Sequence, residues 1–296
     1  MSLYLGQLAA LTAAFCWAIA TIFYSKSSHH LSSIQLNLVK GIVASPLLLL
    51  GTLLLPGEGW AGWSQHTWLL MTLSGVIGIT IGDSCYFAAL RRLGPGHTIL
   101  LEYLAPPMAA VLAWLVLSEA LSPIQMVAAV TVIAGVLLVL TERQLNSRMA
   151  ISRAGVLYAV SAAACQAIGL VMAFYGFSQA KVSPAEAALV RLFGGTLILT
   201  VGIVLLRPKL FPATLTALKH TQLSTLLAAI ALGTFLGIWL QQVAVALVTP
   251  GIAQTLLSTA PLFMLSLNVI RGQHISFRAV TGTVVAMAGI SLLFLF

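Results

Sequence analysis

The sequence predicts an all-α membrane protein: ten transmembrane helices arranged as two inverted five-helix repeats. Composition is the first reason. Apolar residues make up 60% of the chain, charged residues only 7%, and the mean hydropathy is +1.05. A soluble domain carries about 25% charged residues, so this chain cannot cover a water-facing surface and lipid must be its solvent. Run length is the second reason. Apolar stretches of about twenty residues, enough to cross a bilayer, follow one another with short connections. The third is an internal repeat. At a shift of 155 residues Gly78 falls on Gly233, Gly82 on Gly237, Pro95 on Pro250, Gly96 on Gly251, Ala105 on Ala260 and Pro106 on Pro261. At a shift of 154, Ser122 falls on Ser276, Ala134 on Ala288 and Gly135 on Gly289. A Pro-Gly followed ten residues later by Ala-Pro, present twice, is more than shared apolar composition produces.

In chain order the expected spans are 3–23, 34–55, 67–90, 97–117, 123–141, 154–175, 184–206, 223–247, 251–271 and 277–296. The first run is too long for a cleaved leader, and no basic stretch precedes it. The early spans repeat as well. Gly6, Cys16, Ala18 and Ile19 align with Gly155, Cys165, Ala167 and Ile168 at a shift of 149, and Val39-Lys40 with Val190-Arg191 at 151. The units are therefore 1–148 and 149–296, with five spans each. Five is odd, so the second unit enters the membrane from the opposite side. Inverted-topology repeats are a mark of secondary transporters, whose substrate site lies between the halves near the midplane.

Loop cations set the orientation. Lys26, Arg91, Arg92, Arg143, Arg148, Arg153, Arg207, Lys209, Lys219, Arg271 and Arg278 fall in the odd-numbered connections, eleven of the fourteen Lys and Arg. The opposite side holds Lys181 alone, while Lys40 and Arg191 lie inside spans. The odd connections are expected in the cytoplasm and both termini outside. The net charge of +8 is this bias and does not signal nucleic-acid binding, because no basic domain carries it.

Several motifs resemble those of the drug/metabolite transporter superfamily, specifically its EamA-type ten-span members. They are Phe15-Cys16-Trp17-Ala18, the span residues Val39-Lys40 and Val190-Arg191, and the run from Tyr86 to Ser122. The likeness covers essentially the whole chain. It departs where the family usually has Gly-Glu: here stand Ser118-Glu119 and Gly272-Gln273. The resemblance implies a basket of ten helices around a central cavity lined by spans 1 to 4 and 6 to 9. It implies movement of metabolites or drugs across a membrane, and the expected location is a bacterial inner (plasma) membrane. It names no substrate.

Of the six acids, Glu58, Glu119 and Glu142 fall at span ends or in loops and read as solvated. Asp83 and Glu102 fall inside spans. A charge in the bilayer core is costly, faces the bundle interior or water, and is a functional candidate by default. Asp83, Glu102 and Lys40 are all expected in the cytoplasmic half. One reading is a structural ion pair of Lys40 with either acid; the other is a protonatable group that binds substrate or couples to protons. The repeat partners of Asp83 and Glu102 are the apolar Ile238 and Leu257, so the scaffold itself does not require these acids. Arg191, expected in the outer half, reads either as an anchor to lipid headgroups or a carbonyl, or as a gate or anion contact. Glu186, five residues before it, points elsewhere around the helix and is a poor direct partner. Trp17, Gln166, Tyr86, Tyr103, Gln241, Gln242, Gln254 and Ser258 are polar or aromatic candidates for a cavity wall. Pro95-Gly96 and Pro250-Gly251 are expected to open spans 4 and 9, and Pro106 and Pro261 to bend them as hinges.

Nothing supports catalysis: the phosphate loop, HExxH, GxSxG and Cys-x-x-Cys are all missing from the sequence. Cys16, Cys85 and Cys165 are too few and too scattered for a disulfide framework or a metal site, so neither metal nor cofactor is expected. The expected partners are a small-molecule substrate, protons and the lipid bilayer, with one chain sufficient. The expected function is secondary active transport, as exporter or exchanger, by alternating access. The alternative is a passive channel or facilitator.

Overall fold

A computed structural model describes residues 2–54, 60–117, 122–146, 152–179, 182–248, 256–273 and 275–295. Among these residues every element is helical and there is no strand. The first five helices are α1 (Ser2–Ser27), α2 (Ser33–Leu54), α3 (Gln65–Gly75), α4 (Ser84–Leu101) and α5 (Ala105–Leu117). Then come α6 (Pro123–Asn146), α7 (Arg153–Gln179), α8 (Pro184–Leu206), α9 (Leu210–Lys219), α10 (Leu223–Ala229) and α11 (Gly237–Leu247). The last two are α12 (Ala260–Ile270) and α13 (Phe277–Leu295). Six helical stretches are long and apolar enough to cross a membrane: 4–27, 33–54, 65–112, 153–177, 184–206 and 223–247. Shorter apolar helices cover 123–139, 260–270 and 277–292. The outward faces carry Leu53, Leu205, Leu206, Ile270 and Phe277, all largely exposed, as lipid contact requires.

Local sequence explains the helix starts. A Ser followed three residues later by Gln or Glu caps α2 (Ser32, Gln35), α6 (Ser122, Gln125) and α8 (Ser183, Glu186), each side chain satisfying the other's backbone N–H. Glu186 is thus occupied as a cap and makes no ion pair with Arg191, in keeping with the spacing argument. Trp60, Trp63 and Trp68 cluster at the start of α3, with the Trp63 and Trp68 rings 4.9 Å apart. Such aromatic groups suit the boundary between hydrocarbon and headgroups.

Two features were not anticipated. Val76–Asp83 and Ile230–Leu236 are π-helical, widening the turn within the 65–101 and 223–247 stretches. They occupy nearly the same place at the 155-residue shift. The segment between 206 and 223, read from the sequence as a basic connection, holds the helix α9. Pro212 falls in its first turn, where a missing N–H costs nothing.

The prolines divide into two kinds. At Gly94 the backbone turns left-handed (φ 76°), and Pro95 starts the next arm, as expected for a span boundary. Pro106 cannot donate to Glu102 O. The chain responds with a 3₁₀ turn over Glu102–Leu104, in which Ala105 N–H donates to that carbonyl. Pro261 departs from expectation. It stands in the first turn of α12, after a turn at Ser258–Thr259, and so opens a helix rather than bending one. Pro250, Gly251 and Gln254 lie outside the described residues.

The halves pack reciprocally. α1 lies on α10, α11 and the π segment between them, while α7 lies on α3, α4 and the π segment between those. α2 crosses α8, α5 packs on α7 and α12 on α1. α6 and α13 form a tight pair, which packs through Val132, Val136, Ala286 and Ile290 on Ala89, Leu101 and Tyr103. There a Cβ on Gly135 would come within 2.5 Å of Ala286 N and 2.6 Å of Gly282 O, so only a glycine allows this approach.

Candidate functional site

The packing leaves a well-formed cavity among the described residues, with about 150 Å³ open to the centre of a water-sized sphere. Its walls come from α1, α2, α4, α5, α7, α8, α11 and α12, from both π segments, and from the turns around them. α6 and α13 contribute nothing to it. Trp17, Lys40, Asp83, Tyr86, Glu102 and Tyr103 line it from the first half, and Gln166, Arg191, Gln241, Ser258 and Pro261 from the second. Gln242 is buried beside this group but does not reach the cavity. Pro95, Gly96 and Pro106 stand outside its walls as well.

The lining obeys the repeat. Trp17 and Gln166, Lys40 and Arg191, Tyr86 and Gln241, Tyr103 and Ser258, Asp83 and Ile238, and Glu102 and Leu257 are paired positions, and both members of every pair line the cavity. Ile79 and Thr234 form a further such pair that sequence reading passed over; the same 155-residue shift would have found it.

Lys40 and Asp83 are ion-paired, so the intramembrane lysine takes Asp83 and not Glu102 as its partner. The Lys40 side chain is 5% exposed and that of Asp83 is 25% exposed, so cavity water reaches the acid more readily than the base. The Lys40 ammonium also lies 5.3 Å from the centre of the Phe87 ring. Among the described residues Glu102 and Arg191 form no ion pair. Arg191 is 3% exposed, and its Nε and Nη1 find no hydrogen-bond partner there. That burial overturns the lipid-headgroup reading of Arg191: the guanidinium faces the cavity. It is held there because α8 passes so close to α3 that the Arg191 carbonyl packs on Gly75, where any side chain would collide.

The π segments place backbone at the cavity. A wider turn leaves carbonyls to be satisfied from outside the helix. In the first segment Asn37 Nδ2 donates to the carbonyls of Ile79 (2.8 Å) and Thr80 (3.2 Å). In the second, Trp17 Nε1 donates to the Gly233 carbonyl (2.9 Å). Thr21, Tyr24 and Thr234 are wall residues that sequence reading missed. Thr21 Oγ1 gives its proton to Trp17 O, so the Tyr86 hydroxyl donates to Thr21 at 2.7 Å. The Tyr24 and Thr234 hydroxyls share a hydrogen bond of 2.6 Å. The result is a largely apolar chamber with five aromatic rings, fixed polar groups and four ionisable side chains, the composition of a small-molecule site rather than of a packed core.

No curated protein matches the chain. A solved structure, described only as a crystal structure of a protein, is similar over 98% of this chain and 96% of its own, with a TM-score of 0.69 and 18% identity. At that identity the likeness speaks for the fold alone. The profile described as the EamA-like transporter family matches twice, over residues 4–141 and 153–295, which together take in nearly all of the sequence. With both halves of the chain matched in this way, the protein belongs to the EamA-like transporter family.

Proposed function

We propose that this integral membrane protein is a secondary active transporter, an exporter or exchanger, that moves a small metabolite or drug-like molecule by alternating access. The observation that carries the reading is the cavity. It lies between residues of both halves, is walled in repeat-related pairs, and holds Lys40, Asp83, Glu102 and Arg191 at membrane depth. Family membership makes the protein a membrane transporter of small solutes; the mechanism is our inference.

The chain crosses the membrane ten times as two inverted halves, 1–148 and 149–296, in a bacterial inner membrane with both termini outside. The reciprocal packing of α1 on the 223–247 stretch and of α7 on the 65–101 stretch supports that arrangement. The unpaired Glu102 and the ion-paired Asp83 are the groups able to take up protons. Coupling therefore runs through protons or through the substrate's own gradient. One chain suffices, because a single copy supplies every wall of the cavity.

Purified protein in proteoliposomes tests this. Accumulation of a labelled substrate against its gradient, driven by an imposed pH difference or by counter-substrate inside, is the expected result. Flux that only equilibrates means a passive facilitator. Uptake driven by sodium alone rules out the proton reading.

A further inference from the structure

The helix α9 and the cations around it take no part in the cavity: none of residues 206–223 lines it. The helix is two-sided. Thr214 is buried, and Ala217 and Leu218 pack on a core cluster that holds Leu31, Leu226 and Ile230. Leu215, by contrast, is 65% exposed. At about 100° per residue, Phe211, Leu215 and Leu218 fall within one narrow arc, so the packed stripe continues outward as an apolar edge. Pro212, Thr216 and Lys219 take the far side and are exposed.

The neighbouring spans fix the level of that edge. Leu206 ends the apolar stretch before α9, Leu223 begins the one after it, and both leucines are exposed. The helix therefore lies where two lipid-facing spans leave the hydrocarbon. Cations bracket it. Arg207 and Lys209 precede α9 and Lys219 closes it, all three exposed and without an ion pair among the described residues. The chain offers them little, since no Asp or Glu occurs anywhere after Glu186. Leu31 shares the core cluster with Ala217 and Leu218, which brings the exposed Lys26 to the same end of the molecule.

We infer that α9 lies flat in the membrane interface and holds anionic phospholipid headgroups against Arg207, Lys209 and Lys219. An exposed leucine edge enters the acyl region, while the long basic side chains reach back to the phosphates. A neutral lipid surface gives no use to the cations, and a soluble acidic partner gives none to a leucine at that level. The partner is the bilayer's own acidic lipid, whichever side of the membrane α9 occupies. The cluster under Leu218 also contains the cavity-wall residues Tyr24, Ile79 and Phe87, so headgroups on α9 bear on the packing that walls the cavity.

Lipid quenching tests this in the full chain. Cys16, Cys85 and Cys165 are replaced by alanine, and a fluorophore is attached at Leu215→Cys. The protein is reconstituted in mixtures of phosphatidylcholine and phosphatidylglycerol, one or the other brominated in its acyl chains. Either brominated lipid should quench, because the edge lies among the chains. Phosphatidylglycerol should quench beyond its share of the bilayer, with a preference of about 5-fold or more, the worth of one cation at an anionic surface. Arg207→Gln/Lys209→Gln/Lys219→Gln should bring the preference to about one. Salt at about 1 M should do the same, since the screening length falls to about 3 Å. The salt comparison keeps the native charges, so it stands even if the triple variant does not fold. Native mass spectra of the unsubstituted protein should likewise show phosphatidylglycerol retained over phosphatidylcholine. No quenching by either lipid, or equal quenching by both at low salt, overturns the inference and leaves the cations to water or to a soluble acidic partner. A preference that survives the triple variant overturns it as well.

Discussion

The Lys40–Asp83 pair offers the sharpest test of the site's energetics. Asp83→Asn keeps the shape and removes the charge that holds a buried lysine. Breaking a buried pair by removing one partner costs about 3–5 kcal/mol, because the other charge is left uncompensated. Asp83 is a quarter exposed to the cavity, which puts the cost near the lower end, about 3 kcal/mol. That is about a hundredfold in the folding equilibrium. Lys40→Met should cost less, about 1–2 kcal/mol, since the carboxylate left behind is within reach of water while the ammonium is not. The double variant Lys40→Met/Asp83→Asn should recover most of the loss, because it leaves neither charge buried without its partner. Unfolding of the purified protein in detergent, followed by tryptophan fluorescence in a four-member cycle, reads all three values. If Asp83→Asn lies within about 0.5 kcal/mol of the native protein, or the double variant is simply the sum of the singles, the buried-pair argument is wrong.

The remaining predictions concern the scaffold. Trp17→Phe removes the donor to Gly233 O and should cost about 1 kcal/mol by the same unfolding assay, the net worth of one buried hydrogen bond. Gly135→Val drives a side chain into Ala286 and Gly282 and should cost more than about 1–3 kcal/mol, read as loss of monodisperse protein. Gly202→Ala on α8, where an added Cβ meets nothing within 4 Å, should instead stabilise by about 0.4–1 kcal/mol. A C-terminal alkaline phosphatase fusion should be active and a fluorescent-protein fusion dark; the reverse would overturn the orientation drawn from the loop cations.

The helices, their order and most of the polar part of the cavity wall were legible because they rest on signals a sequence carries directly. Apolar run length marks a helix in lipid, Ser-x-x-Gln/Glu marks its start, and a fixed shift carries one half's geometry to the other. Ten of the twelve proposed wall or charge positions line one chamber, from Trp17 to Ser258. The misses share a physical cause. A π segment has no composition of its own, and its wider turn rotates every later side chain away from the α-helical count. Spacing therefore could not say whether Asp83 or Glu102 faces Lys40. Nor could it show that Asn37 and Trp17 serve backbone carbonyls. Gln242, beside Gln241 in sequence, fell off the wall because successive helical residues diverge by about 100°. Pro261 was misread because a proline looks the same whether it bends a helix or begins one.

The division between scaffold and chemistry follows from the same comparison. Many of the positions that repeat unchanged are small: Gly78 and Gly233, Gly82 and Gly237, Ala105 and Ala260. They sit where helices cross or turns widen, so geometry fixes them in both halves. Positions that line the cavity as unlike pairs carry the chemistry: Trp17 against Gln166, Tyr86 against Gln241, Glu102 against Leu257. A symmetric frame allows the two halves to exchange conformations at similar energy, which alternating access needs. An asymmetric lining would give a bound solute one orientation within that frame. Exchanging the acids between halves, as Glu102→Leu with Leu257→Glu, should therefore preserve folding while weakening binding of any ligand oriented by Arg191. Equal binding before and after the exchange would mean that the lining does not read orientation at all.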